Sequence, residues 1–204
     1  MIGTDIIQSF SRELEKIALS DSQLRKLEQK AQPGDILMTS GIPVMEDRRL
    51  SAVDVPGAAV GRVIAKGFGG KYHHAGMYMG DGRWVDHNPI SGVKERGIRS
   101  VGTGSVKLYR PKVSEGARAK AVANIKKQIG KPYSVSQVAK IWFAKKRGTV
   151  GDKKRAANSL ICTNVVADAY RGELDFGREA ELVGPWDIHS SKNVKKVTHL
   201  KGKQ

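Results

Sequence analysis

The sequence predicts a globular fold of mixed α and β structure, α+β or α/β, rich in turns. Three observations predict it. The 204 residues are 39% hydrophobic and include 23 glycines, enough for one domain with a sizeable core. The runs His74–Met79 and Arg83–His87 are strand-like and are joined by Gly80-Asp81-Gly82, a hairpin signature. Ala121, Val122, Ile125 and Ile129 recur at helical spacing in Ala117–Ile129, which Gly130 closes.

The elements follow in order. Ile6, Ile7, Phe10, Leu14 and Ile17 predict an amphipathic helix over about Thr4 to Leu19. Ser20 and Gln23 form a capping-box pattern that opens a second short helix through Leu24 and Leu27, ended by Pro33-Gly34. Residues 1–32 are thus a helical extension, and 33–204 the main domain. Gly34–Ser40 is strand-like. Gly41–Lys71 is long, rich in glycine and weakly periodic, with a short helix expected around Val60 to Lys66. After the hairpin, Ser105–Arg110 is a strand closed by Pro111. Gln137–Phe143 is expected to be helical. An apolar strand then leads into a helix at Cys162, and a terminal strand is expected over Val194–Thr198 in an otherwise irregular Val183–Leu200 segment.

The net charge is +16. Such a chain attracts polyanions, whether nucleic acid, anionic membrane or an acidic wall polymer. Lys145, Lys146, Arg147, Lys153, Lys154 and Arg155 cluster before the cysteine, and Lys192, Lys195, Lys196, Lys201 and Lys203 near the C-terminus. Aromatic residues are sparse beside them, so nucleic-acid binding has no motif behind it. No stretch has the length of a membrane span. The first residues lack a secretory pattern, so the expected location is cytoplasmic as synthesised.

The chain has one cysteine, Cys162. It cannot form an internal disulfide, which leaves packing or chemistry. A thiol at a helix N-terminus feels the positive end of the helix dipole, which favours the thiolate. A cysteine nucleophile also needs a base and a group to orient that base. His74 begins a strand, and its hairpin partner carries two candidates. A three-residue turn, Gly80–Gly82, pairs Gly76 with Asp86 and puts Asp86 diagonal to His74. A two-residue turn, Asp81-Gly82, gives that face to His87 instead, but a three-residue turn with Gly in its last, left-handed position is common and favours Asp86. Gly76 is expected to leave open space beside the imidazole. The histidines lack metal-ligand spacing and no second cysteine is present, so no metal or other cofactor is expected.

Gly34-Asp35-Ile36-Leu37, His74-Ala75-Gly76-Met77-Tyr78-Met79-Gly80-Asp81-Gly82 and Val85-Asp86 resemble the opening of the permuted NlpC/P60 papain-like family. That family includes the YiiX/YaeF-type amidases and the lecithin:retinol acyltransferase-like proteins. Later motifs match in order: the Val106–Pro111 strand ending in Arg-Pro, Gly130-Lys131-Pro132-Tyr133, Cys162 with Val165–Tyr170, and Gly184-Pro185-Trp186-Asp187-Ile188. The resemblance covers about residues 33 to 198. It implies an α+β, circularly permuted papain-like NlpC/P60 fold, an antiparallel sheet packed on helices, here with added N-terminal helices. It carries the nucleophile to Cys162, the base to His74 and the third polar residue to Asp86, where many relatives have glutamate. Tyr133 is implied as an oxyanion donor or cleft residue, or as a packing residue. Thr163 stands where serine commonly follows the cysteine, its hydroxyl expected to cap the helix.

The resemblance implies a cysteine hydrolase that cleaves a peptide-type amide through a thioester. Its first expected role is a cell-wall peptidoglycan amidase or endopeptidase, possible only if a phage particle or another route delivers it to the wall. The N-terminal helices would then suit a virion or other protein partner. The alternatives are a lipid acyl hydrolase or acyltransferase acting on an ester, and a basic binding or structural protein on a papain-like scaffold.

Overall fold

A computed structural model describes residues 19–40, 72, 74–88, 91–101, 104–132, 162–177, 179–180 and 183–201. The first predicted helix (apart from Leu19), the Gly41–Lys71 loop, Tyr133, the Gln137–Phe143 helix, the basic cluster at 145–155 and the strand before Cys162 lie outside the described residues.

The fold is α+β. Six antiparallel strands form one sheet in the order β4-β3-β2-β1-β5-β6. The strands are β1 (Ile36–Thr39), β2 (His74–Gly80), β3 (Arg83–Asn88), β4 (Gly92–Gly97), β5 (Ser105–Pro111) and β6 (Val194–Lys201). The helices are α1 (Asp21–Lys30), α2 (Glu115–Lys126), α3 (Cys162–Ala169) and α4 (Pro185–Ser190), with a 3-10 turn at Ile98–Ser100. Strand β4 and helix α4 lie in stretches where the sequence predicts no element. The β4 side chains are largely charged, and α4 is too short to show a period.

Successive strand residues face opposite sides of a sheet, so a sheet covered on both sides buries nearly every residue. All four residues of β1 are buried. Ile36, Met38, Ala75, Met77, Val85 and Tyr109 pack beneath α2, α3 and α4, against Ala121, Ile125, Val165, Val166 and Ile188. On the other side Leu37, Tyr78, Trp84, Val106 and Leu108 pack against Leu24 and Leu27 of α1. The predicted capping box opens α1: Ser20 Oγ accepts from the Gln23 amide, and Gln23 Oε1 accepts from the Ser20 amide.

Asp35 ties these layers together. Its fully buried carboxylate accepts from Arg110 Nε at 2.9 Å and Nη2 at 2.7 Å, and from the Gln32 amide at 2.9 Å. Tyr170, at the end of α3, donates its hydroxyl to the Gly34 carbonyl. A Cβ on Gly34 would stand 2.7 Å from that hydroxyl, and its φ of +89° also demands glycine.

The β2–β3 hairpin settles the register question by an unexpected route. The turn is not the favoured Gly80–Gly82 but Asp81-Gly82, with Gly80 paired to Arg83 and both turn residues at positive φ, 50° and 65°. By itself that two-residue turn would bring His87 to the face of His74. A β-bulge between Tyr78 and Gly80 inserts Met79 as an extra residue and restores Gly76↔Asp86 pairing. Asp86 therefore keeps His74's face, and His87 lies on the other side with Val85.

Lys195, Lys196 and Lys201 are exposed on the edge strand β6, and Lys192 is exposed just before it. Charged side chains at an edge discourage pairing with other chains. Among the described residues, no helix is long and apolar enough to cross a membrane.

Candidate active site

The first residue of β2 and the first residue of α3 meet at one end of the sheet. His74 Nε2 donates to Asp86 Oδ2 at 3.0 Å. The imidazole also hydrogen-bonds the Cys162 side chain, for which Nδ1 is the remaining ring nitrogen. All three groups are buried: Cys162 is 4% exposed, His74 6% and Asp86 1%. The structure thus brings together the three residues that the sequence singled out.

Burial alone would lower the His74 pKa. Its hydrogen bonds to Asp86 and Cys162, and the negative charge on both, outweigh burial and push it up to about 10. Burial would likewise raise Asp86. The hydrogen bond and charge of His74, with the guanidinium of Arg96, hold that carboxyl below its ordinary range instead. A buried imidazole that favours its protonated form, hydrogen-bonded to a thiol on one side and a carboxylate on the other, is placed to take up the thiol proton.

Sequence reasoning missed Arg96. On β4 it pairs with Trp84 and stands diagonal to Asp86, donating Nε to Asp86 Oδ1 at 3.0 Å and Nη2 to Ser91 Oγ. Both oxygens of Asp86 are thereby engaged, one by the base and one by a cation. A signal was present in the sequence: Glu95 and Arg96 complement Arg83 and Asp86, and Arg83 does pair with Glu95 at 3.2 Å.

Gly76 does not leave open space beside the imidazole. A Cβ there would stand 2.6 Å from both Trp84 Cε3 and the Val85 carbonyl oxygen. The Trp84 indole fills the site and meets His74 edge to face, with centroids 5.9 Å apart. Trp84 Nε1 donates to Ser100 Oγ at 3.0 Å, which holds the ring in place. Glycine at position 76 is what lets a tryptophan wall the base on one side.

The Thr163 hydroxyl does not cap α3. It is fully buried and donates to the Val183 carbonyl at 2.6 Å. Asn164 Nδ2 donates to the same carbonyl at 3.2 Å and to Ala180 O at 2.8 Å. These bonds fasten the first turn of α3 to the segment that leads into α4. Tyr133 lies outside the described residues. Among the described residues, no group of three or more His, Cys, Asp and Glu side chains is arranged to hold a metal. The chain matches no family model and no curated protein.

Proposed function

We propose that the chain is a cysteine hydrolase with a permuted papain-like active site, cleaving a peptide-type amide through a thioester on Cys162. The single observation that carries this reading is the buried, hydrogen-bonded series Cys162–His74–Asp86. Two further contacts support the permuted papain-like assignment. The Gly34-Asp35 motif meets the Arg-Pro strand end through Asp35–Arg110, and meets the end of α3 through Gly34–Tyr170. Motifs far apart in sequence that each resemble the same family are joined directly.

In the proposed reaction His74 takes the thiol proton, and the thiolate attacks the carbonyl carbon to form a C–S bond. Amide groups at the start of α3 face the developing oxyanion. The tetrahedral intermediate collapses, the C–N bond breaks, and the His74 proton goes to the leaving amine. Water, deprotonated by His74, then adds to the thioester. The acid leaves, and the thiolate recovers its proton from the imidazolium. Asp86 holds the ring in one orientation throughout and stabilises its charged form. The substrate class that best suits the +16 chain is an anionic wall polymer, which makes a peptidoglycan amidase or endopeptidase the leading assignment.

Alkylation with iodoacetamide near neutral pH tests the site. Cys162 should label much faster than an ordinary thiol, and His74→Ala should abolish the excess. Slow labelling indifferent to His74 would leave a binding protein on this scaffold. Incubation with peptidoglycan sacculi and with phospholipid vesicles then tests the substrate. New amino groups identify the amidase and free fatty acid the lipid hydrolase, and Cys162→Ser should lose either activity.

A further inference from the structure

Strand β1 ends on a hydroxyl that the proposed reaction leaves unused. Thr39 is fully buried, and among the described residues its Oγ1 has no hydrogen-bond partner. The next residue differs: Ser40 Oγ accepts from the Ser105 amide at 2.9 Å. A buried hydroxyl without a partner gives up its bonds to water for nothing, so it calls for a reason.

Register places this hydroxyl beside the base. Thr39 pairs directly with His74 on β2 and with Val106 on β5. Directly paired residues share a face, and their Cβ atoms stand about 4.5–5.5 Å apart. Leu37 and Val106, the neighbours of Thr39 on that face within β1 and on β5, are apolar. Its neighbour on β2 is the imidazole. Strand β2 lies between β1 and β3, so Thr39 and Asp86 flank His74 from opposite sides. The two nitrogens of an imidazole point in nearly opposite directions. Nε2 is turned to Asp86 on β3, which turns Nδ1 toward the β1 flank. One water, reaching about 2.8 Å to each side, spans a gap of this size.

We propose that Thr39 is a positioning residue for hydrolysis: its Oγ1 and His74 Nδ1 together hold the water that resolves the Cys162 thioester. The inference rests on the hydrolase reading above and deepens it, because the acyl acceptor separates a hydrolase from an acyltransferase. In the resting site the imidazole is hydrogen-bonded to the Cys162 side chain. Once the sulfur is acylated and the amine has left, Nδ1 is open to accept from water. The water donates one O–H to Nδ1 and the other to Oγ1, which leaves a lone pair for the carbonyl carbon. The C–O bond forms as Nδ1 takes the proton. The C–S bond then breaks, the acid leaves, and the proton returns from Nδ1 to the sulfur. Oγ1 makes and breaks no covalent bond.

Acetylation by p-nitrophenyl acetate tests the proposal on the full chain. Intact-mass spectrometry of acid-quenched samples follows the acetyl group on Cys162 as it forms and as it leaves. Thr39→Val keeps the side-chain shape and removes the hydroxyl. It should acetylate within about twofold of the wild-type rate and lose the acetyl group about tenfold more slowly, as loss of positioning requires. Thr39→Ser restores the hydroxyl and should deacetylate within about threefold of wild type. The urea midpoint of Thr39→Val should hold or rise, since an unpaired hydroxyl gives way to a methyl group. That readout separates positioning from a role in folding. Deacetylation unchanged in Thr39→Val, or acetylation and deacetylation slowed alike, overturns the role of Thr39. A lowered midpoint shows a bonded hydroxyl and overturns it as well. In each case His74-dependent acetylation of Cys162 persists. Wild-type acetylation no faster than that of His74→Ala overturns the hydrolase reading and this inference with it.

Discussion

Arg96 donates to the one oxygen of Asp86 that His74 leaves free, and each contact is 3.0 Å long. A cation thus stands behind the carboxylate that faces the base. This arrangement keeps Asp86 charged in a place where burial alone would favour its neutral form.

Replacing Arg96 with Gln should therefore move the Asp86 carboxyl titration upward, as loss of a neighbouring opposite charge requires. Carbon-13 NMR of the carboxyl group reads it directly. Stability should fall by about 1–3 kcal/mol, since a buried acceptor loses a donor. An unmoved titration would show that Arg96 does not hold the charge.

Gly76→Ala should destabilise the protein by about 1–3 kcal/mol, the usual cost of overpacking a filled core. The new methyl would meet Trp84 Cε3 and the Val85 carbonyl, each 2.6 Å away, and Ser100 fixes the indole. Urea unfolding measures the loss. His74-dependent labelling of Cys162 should slow in the same variant, because the ring that walls the imidazole must shift. A variant with wild-type stability and labelling would refute the packing argument.

Stability should depend on pH through the buried pair. His74 is raised from 6.5 to about 10, so its contribution is full below pH 6.5 and is lost as pH rises toward 10. Asp86 is lowered from 3.8, so its contribution is present above that value and is lost as pH falls through the depressed one. The gap in urea midpoint between wild type and His74→Gln should thus be widest near pH 6.5 and close toward pH 10. A gap independent of pH would contradict the assignment.

Asp35→Asn should cost about 3 kcal/mol, the lower end for removing one partner of a buried ion pair. The lower end applies because the Arg110 side chain keeps 27% of its surface in water. Chemical denaturation checks it. Combining Asp35→Asn with Arg110→Met should recover part of the loss by removing the stranded charge. No recovery in the double variant would show that the loss has another origin.

What the sequence made legible follows from what local pattern can encode. The capping box, the hairpin strands and the terminal strand depend on near neighbours, and all appear at or close to the expected positions, whereas α2 ends at Lys126, before the expected stop at Gly130, and leaves Ile129 exposed. His74 and Cys162 were legible through motif order, whereas the parity argument reached Asp86 on a three-residue turn that the structure replaces with a two-residue turn and a bulge. Arg96 was not, because its role depends on β4 lying beside β3, and the charged run Lys94-Glu95-Arg96 hides that strand. Trp84 over Gly76 is a tertiary contact, invisible to a parity argument that counts faces but not volumes. The Thr163 hydroxyl goes to Val183, a partner 20 residues away that no local capping rule anticipates.

The bulge at Met79 has a chemical meaning of its own. Without Met79 the ladder would run regularly and keep Gly76 opposite Asp86; with Met79 present but paired to Trp84, the same tight turn would slide β3 by one place and exchange a carboxylate for an imidazole on the face of His74. How the hairpin absorbs this one extra residue is thus as consequential for the site as any substitution within it, although Met79 itself supplies none of the reacting groups.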